Sequence, residues 1–89
     1  MNIYAILEMG RLMKMMEDDN IFFGYSVSQD DEIEVRIPCK DGTFYSITSC
    51  DDSFGDDFKI TSDDGEMVRA YTAEYAMSLL KMMKIAERQ

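Results

Sequence analysis

Carboxylates are the side chains in this sequence whose number and spacing could support chemistry. Positions 30 to 66 hold twelve acidic residues and three basic ones, so this stretch alone carries the whole net charge of −9. One aspartate suits a turn, but a second adjacent carboxylate adds repulsion that the turn does not need. Such pairs therefore indicate a negative surface that binds something, with improved solubility as the alternative. The pairs are Asp18–Asp19, Asp30–Asp31, Asp51–Asp52, Asp56–Asp57 and Asp63–Asp64.

Catalysis by these carboxylates is not expected. Paired carboxylates cleave glycosidic bonds when burial or a pocket raises the pKa of one of them. The pairs here fall in segments that read as solvated turns, and the sequence has no histidine. Cys39 and Cys50 therefore lack the usual base that would activate a thiol. We predict that the protein is not an enzyme and has no catalytic residue and no cofactor.

Calcium binding is the second chemistry that clustered carboxylates could support. The loop of an EF-hand has an acidic residue five positions before its glycine. Cys50 stands five positions before Gly55, and Ile60 stands five positions before Gly65, so both acidic loops fail this test. No metal site is predicted, and a calcium site of another kind stays open as an alternative.

A net charge of −9 disfavours the partners that need a basic protein surface. Nucleic acids and anionic membranes both bind to surplus lysine and arginine, whereas a protein with a basic groove complements the acidic stretch. The first eight residues lack the basic leader and long apolar run of a signal peptide. No apolar run approaches the ~20 residues that span a bilayer. We expect a cytoplasmic protein.

Hydrophobic periodicity predicts a single compact α+β domain over residues 1–89. Apolar residues at helical spacing predict a helix at about 3–18 and another at about 73–87. Alternating residues between them predict five strands, at about 21–28, 32–39, 43–50, 57–62 and 66–71. The order α-β-β-β-β-β-α favours an antiparallel meander sheet with both helices packed on one face. Residues 50–56 are predicted to form a longer acidic connection between the third and fourth strands.

Two of the predicted turns also predict the register of their strands. Each is a loop of three residues that ends in a left-handed glycine, Gly42 in the first and Gly65 in the second. A slip of one residue would exchange the two faces of the sheet, so the register that pairs apolar residues should be favoured. The predicted pairs are Ile37–Tyr45, Val35–Ile47, Ile60–Val68 and Phe58–Ala70.

Apolar residues outside the predicted core stripes of the helices could form a second kind of contact surface. They could pack against a second copy of the chain or against a partner, or they could be scattered surface residues, which are common. These residues are Tyr4, Leu7, Met15, Met77 and Ile85. They define the alternative hypothesis, a homodimeric or adaptor-type interaction module whose acidity serves solubility.

In its small size, its acidity and its lack of catalytic motifs, the chain resembles the small phage-encoded inhibitors of bacterial defence, the anti-CRISPR and anti-restriction proteins. The resemblance implies stoichiometric inhibition of a host effector complex in the host cytoplasm. Carboxylates would imitate DNA phosphates and occupy a basic nucleic-acid-binding surface of that complex. The residues predicted to bind that surface are Asp30, Asp31, Glu32, Glu34, Asp51, Asp52, Asp56, Asp57, Asp63 and Asp64.

Overall fold

Two helices and one antiparallel sheet make up the structure, a computed structural model of the chain. It describes the backbone of residues 3–29, 32–52 and 55–89, and the side chains of these residues except 3–4, 50–52 and 55–57. The five strands are neighbours in chain order, which confirms the predicted α+β meander. The elements are α1 (Ile3–Asp18), β1 (Gly24–Val27), β2 (Ile33–Pro38), β3 (Phe44–Asp52), β4 (Gly55–Thr61), β5 (Met67–Ala70), α2 (Ala73–Met82) and a 3₁₀ helix (Ile85–Arg88).

Local signals in the sequence account for the end of α1 and the start of α2. Asn20 adopts a left-handed conformation with a φ of 60°, and the Ile21 N–H donates to the Met16 carbonyl at 2.9 Å, which closes the end of α1. Thr72 caps the start of α2, because its hydroxyl accepts the Tyr75 N–H at 3.1 Å. The predicted extension of α2 to residue 87 is wrong, since the helix ends at Met82.

The core lies between the helices and one face of the sheet. Period-two alternation along the strands places most apolar residues of β2, β3 and β4 on this inner face, and most polar residues on the outer face. Helical spacing brings the buried stripes of α1 and α2 onto the same cluster. Its fully buried large side chains are Met9, Leu12, Met16, Val35, Ile37, Ile47, Ile60, Leu80 and Ile85.

Both three-residue loops form as predicted. The Cys39 N–H donates to the Thr43 carbonyl at 2.8 Å, and the Ser62 N–H donates to the Glu66 carbonyl at 2.8 Å. Gly42 and Gly65 have φ values of 91° and 92°, in the region that residues with a Cβ atom rarely adopt. All four predicted strand pairs occur in the register: Ile37–Tyr45, Val35–Ile47, Ile60–Val68 and Phe58–Ala70.

The glycine φ values predict opposite effects for the same substitution at different positions. Gly42→Ala and Gly65→Ala should each lower the free energy of unfolding by about 1–2 kcal/mol, because alanine is strained at positive φ. Gly10→Ala should instead raise it by about 0.5–1 kcal/mol, since alanine favours the helix. No atom lies within 4 Å of an added Cβ at any of the three positions, so steric overlap does not contribute. Urea titrations followed by circular dichroism measure these values, and a stabilising effect at Gly65 would contradict the account.

Three strand limits differ from the prediction by two or three residues. Residues 50–56 do not form a long connection, because β3 and β4 remain paired as far as Asp52 and Gly55. Acidic and glycine residues indicated a loop there, but the main-chain ladder continues through them. β1 begins at Gly24 instead of residue 21.

The start of β1 is shortened by a contact with the side chain of Gln89. Its Oε1 accepts the Phe22 N–H at 2.9 Å, and its Nε2 donates to the Phe22 carbonyl at 2.6 Å and to the Pro38 carbonyl at 3.0 Å. The β1–β2 register, continued by two residues, would place Phe22 opposite Pro38. Proline has no N–H to donate to this ladder, so the Gln89 amide supplies the donor instead.

Candidate interaction surface

The meander divides the acidic stretch between two opposite ends of the sheet. Successive turns of an antiparallel meander lie at alternate ends. The end where β1 and β3 finish, here named the acidic end, carries Glu32 and the backbone of Asp51, Asp52, Asp56 and Asp57. The opposite end, here named the loop end, carries the turns with Asp41, Asp63 and Asp64. Asp30 and Asp31 lie outside the described residues. The ten predicted contact residues therefore do not form one continuous surface.

At the acidic end, the β3–β4 hairpin extends beyond its neighbouring strand. In the β2–β3 register, Ile33 at the start of β2 corresponds to Ser49. The three residues that follow Ser49 in β3 therefore project past β2 by about 10 Å, at roughly 3.3 Å per strand residue. Within the hairpin, the register places Asp51 directly opposite Asp56. Like charges that face each other across a strand pair are destabilising.

The two glutamates near the acidic end differ in how free their carboxylates are to bind a partner. Glu32 is exposed, and its N–H donates to the Ser28 hydroxyl oxygen at 3.2 Å. Glu34 lies on the outer face of the sheet, where its Oε1 is 2.6 Å from Arg36 Nε. The Arg36 guanidinium also lies over the Phe44 ring, 4.7 Å from its centroid. The charge of Glu34 is thus paired within the protein, which makes it a weaker candidate for partner binding than Glu32.

At the loop end, two aspartates hold their own turns together. Asp41 Oδ1 accepts the Thr43 hydroxyl at 2.5 Å and the Thr43 N–H at 3.0 Å, and these hydrogen bonds lower the pKa of Asp41. Asp64 accepts the Ser62 hydroxyl and the Glu66 N–H, which lower the pKa of Asp64 in the same way. Both carboxylates are therefore turn-forming residues.

The loop end is also partly neutralised by a cation. The two turns share a cavity of about 200 Å³ whose lining includes Asp41, Asp63, Asp64 and Arg88. The Arg88 guanidinium donates to the Tyr45 hydroxyl at 2.7 Å. The loop end thus mixes both signs of charge, and it is a less complete negative surface than the acidic end.

The five apolar residues predicted as a second surface do not lie together. Leu7 is 61% exposed, whereas Met77 and Ile85 are buried, with exposures of 2% and 0%. Met15 is partly buried and packs against the core. The Tyr4 side chain lies outside the described residues. The prediction that Met15, Met77 and Ile85 face away from the core is therefore wrong.

Two physical reasons explain these errors. α2 contacts both α1 and the sheet, so it buries a wider arc than one stripe and includes Met77 in it. Ile85 does not belong to α2, because Lys84 turns the chain with a φ of 56° and directs the 3₁₀ helix back to the core. A continued helix would have placed Ile85 outside the stripe.

Glu8 is a structural residue that the sequence analysis missed. Helical spacing puts Glu8 on the same face of α1 as the charged residues Arg11 and Lys14, yet Glu8 is only 6% exposed. Its Oε1 accepts the Ala73 N–H at the start of α2 at 3.3 Å, and its Oε2 is 2.6 Å from Arg11 Nη1. Arg11 also pairs with Glu74. A carboxylate at a helix N-terminus satisfies free N–H groups and the helix dipole, so Glu8 connects the two helices. The i, i+3 spacing of Glu8 and Arg11 is typical of an ion pair within α1, but it gives no signal of the contact with α2.

Among the side chains that the structure describes, no group of three histidine, cysteine or acidic residues could hold a metal ion. None of the described helices is long and apolar enough to cross a membrane. No protein-family model, no curated protein and no solved structure matches this chain. The candidate function therefore depends on the geometry and charge of the surface itself.

Proposed function

We propose that this protein is a non-enzymatic binding protein whose acidic end occupies a basic, nucleic-acid-binding surface of a cytoplasmic protein complex. Occupation of that surface would inhibit the complex by excluding nucleic acid, as anti-CRISPR and anti-restriction proteins do. The observation that supports this proposal is the register of the β3–β4 hairpin, in which Asp51 stands opposite Asp56.

This register has a cost that solubility does not explain. Like-charged residues directly opposite each other cost roughly 0.2–1 kcal/mol relative to neutral pairs. Solubility needs only exposed charge, which positions such as Glu17 and Asp63 provide without a facing carboxylate. A binding surface, in contrast, gains from concentrated charge because neighbouring carboxylates act together on the same cationic groove.

The shape of the acidic end also suits a groove. The hairpin projects beyond β2, so a partner can reach both of its strands. Glu32, which directly precedes β2, lies one strand spacing from β3 and two from β4, or about 5 and 10 Å. Carboxylates at these separations could contact cations on both walls of a groove that normally holds a phosphate backbone.

The alternative function, an interaction module that uses apolar helix faces, has less support. Of the residues predicted to form its surface, Met77 and Ile85 are buried in the core and Met15 packs against it. Leu7 remains exposed on α1, next to Ile6, which is partly exposed. Two adjacent apolar residues are ordinary for a protein surface and do not require a partner.

The test is capture of partners by the immobilised protein from a bacterial lysate, at about 50 mM and about 500 mM NaCl, with and without competing duplex DNA. We expect a nucleic-acid-binding complex to be captured at low salt and released by either high salt or DNA. Salt screens the carboxylates, and DNA competes for the same cations. Binding that persists both at high salt and in the presence of competing DNA would contradict the proposal and favour an apolar interface.

A further inference from the structure

β1 is an edge strand that lacks the usual protection against strand addition. It is the first strand of the sheet, and all four of its residues are exposed. Natural edge strands are commonly blocked by lysine, proline, a bulge or an inward charge. Residues 20–29 contain no charged residue and no proline, although the chain as a whole has a net charge of −9. Two copies of this acidic protein could approach most closely along this neutral segment.

The hydrogen bonds of β1 show which main-chain groups point to its free edge. The Ser28 N–H donates to the Glu32 carbonyl at 2.8 Å, so in the antiparallel register Ser28, Ser26 and Gly24 bond to β2. Alternate residues point the other way. The N–H and C=O groups of Tyr25 and Val27 therefore face the edge, where the described part of the chain provides no neighbouring strand.

The side chains of the same two residues are uncovered. Tyr25 pairs with Val35, and Val27 pairs with Ile33, so all four lie on the inner face of the sheet. Val35 is fully buried, whereas Tyr25 is 66% exposed and Val27 is 57% exposed. The helices therefore cover β2 and stop short of β1, which leaves an apolar shelf beside the free edge.

We propose that this edge binds β1 of a second copy of the chain, in an antiparallel pair about a two-fold axis. The strand is self-complementary in this arrangement. With Tyr25 opposite Tyr25 of the second copy, Val27 stands opposite Phe23 of the second copy, and the outward main-chain groups of both strands meet. The apolar residues of both copies then lie on the same face, and the two sheets join into one of ten strands.

The distribution of charge favours the antiparallel arrangement of the two copies over the parallel one. β1 runs from Gly24, which is opposite Arg36, towards the turn that precedes Glu32. With Tyr25 opposite Tyr25, an antiparallel pair places Glu32 of one copy level with Pro38 of the other, between Arg36 and Lys40, whereas a parallel pair would align like charges. The backbones of these residues are separated by three strand spacings, about 14 Å, part of which the long cationic side chains span. An unrelated basic strand would find no carboxylate along residues 20–29 to contact.

The test is sedimentation of the purified protein over a range of concentrations and NaCl levels. We expect a monomer–dimer equilibrium, weak because a four-residue strand makes a small interface, and stronger at high salt, which screens repulsion between two acidic copies. Binding of a basic partner weakens with salt, so the two proposals fail independently. A monomer under all conditions would overturn the dimer.

Two double variants with equal charge changes locate the interface. Tyr25→Lys with Val27→Lys adds edge lysines that block strand addition, and we expect the dissociation constant of the dimer to rise at least about ten-fold. Tyr75→Lys with Met82→Lys changes two exposed residues of α2. This second variant should keep the dissociation constant of the dimer within about two-fold of the wild-type value. Loss of the dimer only in the α2 variant, or in neither variant, would overturn the proposal.

Amide hydrogen exchange gives a readout for single residues in the wild-type protein. The amides of Tyr25 and Val27 should become protected as the protein concentration rises. Those of Ser26 and Ser28 should be protected at every concentration, because they bond to β2 in the monomer. Equal behaviour of the two sets would show that the copies do not pair through this edge.

Discussion

Replacement of Asp51, Asp52, Asp56 and Asp57 by asparagine in one variant is expected to weaken binding of the captured basic partner at least about 100-fold. This factor corresponds to about 3 kcal/mol of binding free energy, which is less than about 1 kcal/mol for each of the four carboxylates in a cationic groove. The same variant should be more stable than the wild type, because the register no longer places like charges opposite each other. Calorimetric titration measures the affinity, and thermal unfolding at low ionic strength measures the stability.

A charge-matched variant separates position from net charge. Glu17→Gln, Asp63→Asn, Glu66→Gln and Glu87→Gln also remove four exposed charges, all of them away from the acidic end. This variant should keep its affinity within about three-fold, since distant surface charges are largely screened at physiological salt. Equal losses of affinity in both variants would mean that total charge matters and that the acidic end is not the site.

Replacement of Ile47 by alanine is expected to lower the free energy of unfolding by about 3–4 kcal/mol, the usual cost of a cavity in a packed core. Ile47 is fully buried in the central strand β3 and stands between Val35 and Ile60 in the register. A domain of this size is stable by only about 5–10 kcal/mol, so the loss is a large fraction of the total. The midpoint and slope of a urea titration give the change.

The neighbouring position provides the control for this substitution. Thr48 follows Ile47 in β3 and points to the outer face of the sheet, opposite Glu34 and Lys59. Thr48→Ala should cost less than about 1 kcal/mol, because it alters strand preference and leaves the core packed. Similar losses at the two positions would mean that the core does not lie on the face assigned to it.

Features that depend on neighbouring residues could be predicted from the sequence. The two loops that end at Gly42 and Gly65 followed from the spacing of glycine and apolar residues, and with them the strand register. The limits of α1 also agree with the prediction, because periodicity and a polar stop signal act within a few residues.

Features that depend on packing between distant elements could not be predicted from the sequence. The burial of Glu8 requires the N-terminus of α2, 65 residues further along the chain. The limit of β1 requires the side chain of Gln89, 67 residues from Phe22. The position of Ile85 in the core requires the left-handed turn at Lys84, at which a periodic pattern gives no signal.

The candidate site shows the same division. The sequence by itself determined the sign and amount of charge and the fold class, because both follow from composition and local periodicity. Only the tertiary structure decided that the carboxylates separate into two ends, that Asp41 and Asp64 hold turns, and that Glu34 is paired with Arg36. The physical reason is the meander, which sends successive turns to opposite ends of the sheet and so separates residues that are close in sequence.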